Sequence, residues 1–309
     1  MQGLYYNGKA AEYRTNLPVP QPAGHESLVR ILLASICNTD REVMRGYKPD
    51  FTGVMGHEFV GVVEQSSNAA LVGKRVVGEL NEGCGHCLYC RTQRTHHCEN
   101  RKVIGLANKD GCFAEYMTIA TQLLHIVPDN LTDEAAVCCE PLAAAFEIAQ
   151  QTHIRPDDEV CVIGDGRLSF MIAQVLALTG AEVTVLGRHA DKLAKFAPFA
   201  KTTTEANRTY EIVVDACGAP GGINTAAQLV RKRGTVVLKS TYAGNADINL
   251  SQFVVNEVTV KGSRCGPFAP ALRAMARGLI TLPQIELHSL ANWQTAFDSR
   301  AFKAGFDFR

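Results

Sequence analysis

The sequence predicts a two-domain α/β protein, with a strand-rich N-terminal half followed by a doubly wound parallel sheet covered by helices. Three observations predict it. From Leu28 to Pro128, short β-type runs are separated by Gly, Asn and Asp. From about Glu159, near-continuous apolar strands alternate with helical stretches. A glycine turn joins the first of those strands to its helix. Strands that are apolar on both faces need cover on both sides, and crossover helices supply it.

The strand runs of the first half are LVRILLAS, FVGVVEQ, KRVVGEL, FAEYMTIA and HIVP, bounded by turn-forming residues. The second half gives EVCVIG, RLSFMIAQVLALTG, AEVTVLG, a short helix from Asp191, IVVDACG, a helix near Ile223 to Arg231, TVVLKS and VTVKGS, a strand and helix rhythm. Between Asp191 and Ile212 there is room for one short helix and the polar stretch KTTTEANRTY. A full mononucleotide half would hold another strand and helix there, so one crossover is expected to be trimmed. The junction falls in the helix from Glu140 to Gln151. The expected domains are therefore residues 1–145 and 146–265, with 266–309 as a closing segment.

The chain has 309 residues, 46% hydrophobic and 20% charged, which suits a globular protein of about two domains. Lys plus Arg equals Asp plus Glu at 31 each, so electrostatic capture of nucleic acid or an anionic membrane is not expected. A small-molecule partner is. The N-terminal stretch has no apolar h-region and no later run approaches membrane-spanning length, which predicts a cytoplasmic protein. Eleven cysteines in such a chain fit a reducing compartment, where thiols serve metals.

Cys84, Cys87, Cys90 and Cys98 stand at spacings of two, two and seven residues. Four thiolates so arranged form a tetrahedral zinc cage, and a closed shell orders a loop without offering a position to substrate. His86, His96 and His97 are expected to be polar loop residues beside it.

Gly164-Asp165-Gly166-Arg167-Leu168-Ser169 ends an apolar strand and opens a helix. The first Gly allows the tight turn, the second lets backbone approach a pyrophosphate, and the helix N-terminus supplies donors and a positive dipole. This is a dinucleotide-binding Rossmann turn with Ser169 where a third glycine would stand. The next strand ends in Gly187-Arg188-His189, with no carboxylate to hold ribose hydroxyls and with Arg188 able to bond a 2′-phosphate. NADP(H) is thus preferred over NAD(H); a solvated arginine is the competing explanation. Cys217, Lys239, Ser240 and Arg264 follow later strands at the carboxyl ends, where ligand meets such a sheet.

Cys37, His57-Glu58 and Glu140-Pro141-Leu142 could supply a second zinc. Thiolate, imidazole and carboxylate make a three-ligand set with an open fourth position. The segments CNTD, GHEFVGVV, CGHCLYC with a later Cys, DGCFAEY, EPL and VIGDG resemble, in order and over nearly the whole chain, the zinc-dependent medium-chain alcohol dehydrogenases, closest to the polyol, sugar and threonine dehydrogenase branch. That resemblance implies a GroES-like catalytic domain, a Rossmann coenzyme domain and a final segment returning to the first. It implies two zinc ions per chain: a catalytic one at Cys37, His57 and Glu140, with Glu58 as an alternating ligand, and a structural one in the cysteine cage. Cys138 and Cys139 compete with Glu140, which is preferred for its EPL context and its weaker charge donation.

The resemblance further implies reversible hydride transfer between NAD(P) and an alcohol, polyol or sugar hydroxyl, with Thr39 as the relay hydroxyl. Thr39 could instead cap a turn. Glu42 stands where classical members have a histidine, and its presence points to polyhydroxylated substrates; a surface pair with Arg41 or Arg45 is the alternative. A homodimer or homotetramer is implied, paired through residues 258–260. Two other readings stay open: a non-catalytic coenzyme-binding protein and a zinc-free enone reductase.

Overall fold

The strand Glu26–Ser35 organises the first part of the chain, because three strands pair antiparallel with it: Glu58–Ser66, Tyr116–Ala120 and Lys303–Asp307. Arg75–Gly78 and Leu124–Ile126 extend this seven-stranded sheet on one side, and Ile285–His288 adds a parallel edge on the other. Leu28, Val29, Ile31, Leu33 and Ala34 are all buried, so both faces of the strand are covered. Each large aliphatic side chain buried this way contributes about 1.5–3 kcal/mol. In the register, Ser35 lies opposite Glu58 on one flank and Gly305 on the other.

This computed structural model describes residues 1–242 and 245–309, and the chain divides into two units, Met1–Glu140 with Phe268–Arg309, and Pro141–Pro267. The first unit also holds a three-stranded sheet of Ala11–Arg14, Gly3–Tyr6 and Gly53–Val54. Two of these strands precede Leu28, where β-type runs become legible. At four residues each they are too short to show a period.

The second unit is a six-stranded parallel sheet in the order Lys201–Thr203, Glu182–Leu186, Glu159–Ile163, Tyr210–Asp215, Val230–Leu238, Thr259–Gly262. Counted in chain order this is 3-2-1-4-5-6, the dinucleotide-fold order, whose direction reverses between the first and fourth strands. The polar stretch expected to lack a strand supplies one: Lys201–Thr203 pairs parallel with Thr184–Leu186. Its residues are Lys and Thr because it is an edge, where one flank meets water. The missing piece is the helix of the return crossover, since residues 204–209 contain none. Phe170, Phe196 and Phe199 pack edge-to-face beside the short helix Ala190–Leu193, with ring centroids 5.1 and 5.4 Å apart. The helix expected near 223–231 is Gly222–Leu229, and the next strand begins at Val230.

Two candidate metal centres and a coenzyme loop

The cysteine lobe is built from local turns. Cys87 precedes the one-turn helix Leu88–Arg91, and Cys98 follows the 3₁₀ turn Thr95–His97. The Sγ atoms of Cys84, Cys87, Cys90 and Cys98 all lie within 4.8 Å of one another. A tetrahedron with Zn–S bonds of about 2.3 Å has edges of roughly 3.8 Å, and Cys87 Sγ stands 3.8 Å from Cys98 Sγ. The residues fit the metal. Backbone N–H groups favour thiolate here: Cys87 is pulled down to about 6, chiefly by the Cys90 N–H, and Cys84 is lowered by those of His86 and Cys87. Burial pushes Cys90 up to about 12, against the trend a cation would impose. His86, His96 and His97 are not part of the four-sulfur group; His96 and His97 pack on each other, ring centroids 4.3 Å apart.

The second centre is assembled across the sheet. Cys37 caps the helix Asn38–Met44, its N–H donating to Asp40 Oδ2 at 2.8 Å. His57 follows Gly56, whose φ of +90° suits glycine and whose absent Cβ leaves room for the Phe113 ring, 2.4 Å from where that atom would be. Cys37, His57 and Glu58 each offer an atom within 4.8 Å of the others. His57 and Glu58 are buried. Asp40 is fully buried, and its Oδ1 stands 3.3 Å from His57 Nδ1, with no hydrogen-bond partner for either atom among the described residues. A carboxylate behind an imidazole fixes ring orientation and raises ligand basicity. Burial pushes the His57 imidazolium down, but Asp40 and Cys37 outweigh it and hold its pKa above the usual value.

Glu58 Oε2 accepts hydrogen bonds from Ser35 Oγ and from the ammonium of Lys303, which is 2% exposed. The sheet register causes this meeting, because Ser35 opposes both Glu58 and Gly305. Burial raises the Glu58 carboxyl, yet Lys303, His57 and Ser35 together outweigh it and keep it below its ordinary value. Thr39 Oγ1 lies 3.6 Å from Cys37 Sγ. Glu42 pairs with Arg45 at 2.7 Å, the surface alternative, while Arg41 donates to Phe297 O.

Glu140 lies in the first turn of the helix Cys139–Gln151 and is not a member of the Cys37, His57, Glu58 group. The competing thiols face main chain: Cys138 Sγ lies 3.7 Å from Glu134 O and Cys139 Sγ 3.9 Å from Phe268 O. Burial raises both, Cys138 to about 12. A third group, His25, Glu26 and Glu82, is engaged in ion pairs, since Lys109 binds Glu26 and Lys102 binds Glu82.

In the second unit the expected coenzyme residues fall at the carboxyl ends of successive strands. Gly164 has φ +118°, and a Cβ there would stand 2.9 Å from Ala216 O. Gly166 caps the helix Arg167–Ala177 and has open space where a Cβ would be. Leu168 follows in the first turn, and Ser169 is buried, its hydroxyl without a hydrogen-bond partner among the described residues. Gly187 is buried, whereas Arg188 and His189 are exposed. Cys217 donates its N–H to Asp215 Oδ1 at 3.1 Å, and burial raises its thiol to about 11. Lys239 bonds Ser263 Oγ at 3.1 Å and the carbonyl of Arg264, with Ser240 next in chain, so its ammonium is already held within the fold.

Sequence reasoning missed Ser35, Lys303 and the place of Asp40 behind His57. The available signal for Lys303 was a lysine inside the alternating run Phe302-Lys303-Ala304-Gly305-Phe306.

A parallel sheet in dinucleotide order and a strand-rich unit with two cysteine-containing groups able to hold a metal make a dehydrogenase-type scaffold. Residues 23–129 match the alcohol dehydrogenase GroES-like domain. The chain is 30% identical to D-arabitol-phosphate dehydrogenase of Enterococcus avium, over 92% of this chain and 89% of that one. It is 29% identical to L-galactonate-5-dehydrogenase of Escherichia coli strain K12, over 87% and 86%. A zinc-binding dehydrogenase from Sinorhizobium meliloti 1021 solved with NADP superposes with a TM-score of 0.90 at 24% identity, covering 99% and 98%. The chain belongs to the zinc-type medium-chain alcohol dehydrogenases, in their polyol and sugar branch. The first unit carries the GroES-like fold and the second the Rossmann fold.

Proposed function

We infer that this alcohol dehydrogenase family member is a zinc-dependent enzyme that moves hydride between NADP(H) and a hydroxyl of a polyol, sugar or sugar acid. The observation that carries the inference is the gathering of Cys37, His57 and Glu58 at one buried point, with Asp40 behind His57. Zinc held there would lower the pKa of a substrate hydroxyl and polarise the carbonyl in the reverse direction, with the nicotinamide exchanging hydride. Cys37 and His57 hold the metal, and Asp40 orients the imidazole. Glu140 is the third ligand in this account, because Cys138 and Cys139 face backbone carbonyls and Lys303 with Ser35 claims Glu58. Thr39, beside Cys37, passes the hydroxyl proton outward.

The glycine turn at Gly164 and Gly166 takes the pyrophosphate, and Arg188 takes the 2′-phosphate. The names of the relatives support a hydroxyl-rich small molecule. Exposed Leu250, Val254 and Val255 beside the sheet's edge strand Thr259–Gly262, with Val260 also exposed, support a homodimer joined along that edge. Among the described residues no helix is long and apolar enough to cross a membrane. The free cysteines suit a reducing compartment and support a cytoplasmic location.

The test is a coupled assay of NADP and NAD reduction over a panel of polyols, their phosphates, sugars and aldonic acids. Turnover should favour NADP, disappear on chelation and return with zinc. No turnover with any panel member by protein holding two zinc ions would favour a non-catalytic coenzyme-binding protein.

A further inference from the structure

One side chain ties the glycine turn to the end of the next strand. Gly187 closes the strand Glu182–Leu186 so near residue 165 that a Cβ there would stand 2.7 Å from Asp165 Cβ and 2.9 Å from its Oδ2. Position 187 therefore cannot hold a carboxylate. Asp165 Oδ2 accepts the N–H of Arg188 at 2.8 Å and that of His189 at 2.9 Å, and lies 2.9 Å from His189 Nδ1. Burial pushes this carboxyl up, but the donors outweigh burial and hold it below its ordinary value. Three donors meet this one oxygen, which commits it to the 187–189 loop. Arg188 is exposed, and among the described residues no carboxylate pairs with its guanidinium.

We propose that Asp165 is a positioning residue for coenzyme selection: it fixes the backbone of Arg188 and His189, and the His189 ring, so that both side chains form a donor face for the 2′-phosphate of NADP. The proposal rests on the NADP preference inferred above. Asp165 touches no reacting atom in this role. It acts through the 187–189 loop.

The test is calorimetric binding of adenosine 2′,5′-bisphosphate and of ADP to the full-length chain and to its Asp165→Ala and Asp165→Asn variants. These probes carry the adenosine half of the coenzyme and need neither metal nor substrate. The wild-type chain should bind the 2′-phosphorylated probe more tightly. Asp165→Ala should cut that preference about tenfold while ADP affinity moves less than about twofold, the scale of one charge-assisted bond. Asp165→Asn keeps an acceptor without the charge and should lose about threefold. Equal weakening of both probes, or a wild-type ratio in either variant, would overturn the role of Asp165 alone. A wild-type chain that prefers ADP would overturn the NADP preference and this role together.

Discussion

The cysteine lobe and the Cys37 centre both gather metal-binding side chains, yet they are built in opposite ways. Four sulfurs of the lobe come from Cys84 to Cys98, one short segment folded by turns, and three of the four are only partly buried. The other centre draws Ser35, Cys37, Asp40, His57, Glu58 and Lys303 from distant parts of the chain, and a strand register brings them together. The difference teaches where each site's energy resides. The lobe is held by short turns, so a metal bound there would supply much of its order, whereas the Cys37 centre is held by the surrounding sheet and by buried ion pairing.

The largest effect that would break this contrast is on the buried pair. Lys303→Met leaves Glu58 buried and unpaired, which should cost about 3–5 kcal/mol in urea unfolding. Adding Glu58→Gln should recover most of it, because the uncompensated charge is gone. A single variant within about 1 kcal/mol of wild type would mean that the centre does not depend on its ion pair. A smaller, more selective change is Asp40→Asn. It should weaken zinc at the Cys37 centre about 10–100-fold in a chelator competition, as loss of an orienting carboxylate does, and leave the lobe's zinc unchanged.

How far the sequence disclosed these two sites follows from their construction. The gathering of the lobe's cysteines was legible because they keep a short, regular spacing, and the Rossmann turn because Gly164 and Gly166 lie between a strand and a helix. Cys37 and His57 could be named as ligands only together with other segments. Ser35 was illegible, and the alternating run around Lys303 marked a strand without naming its partner, since both roles arise from cross-strand register. The strand Lys201–Thr203 escaped for another reason: an exposed edge tolerates polar residues that read as loop. Glu140 was chosen by context, and the structure gathers Glu58, not Glu140, with Cys37 and His57.

The smallest effect sharpens the contrast with the third acidic group, which holds lysines in place of metal. Burial pushes the Glu26 carboxyl up, but Lys109, the Ala23 N–H and His25 together outweigh it, so its folded pKa lies below 4.5. A depressed carboxylate contributes stability above its unfolded pKa and loses it as pH falls through the folded value. Wild type should therefore exceed Glu26→Gln by about 1 kcal/mol at neutral pH, with the gap closing on acidification below 4.5. Denaturant titrations at several pH values check this; a constant gap would contradict it.

Zinc counting on purified variants, with circular dichroism and turnover measured on the same samples, tests the division of labour most directly. Wild type should hold two zinc ions per chain. His57→Ala should hold one, keep its folded signal and lose turnover by at least about a thousandfold, the scale of a lost Lewis acid. Cys84→Ser should lose the lobe's ion and its order, with activity falling as the fold does. A wild-type chain with a single zinc that survives His57→Ala alongside full turnover would contradict the account.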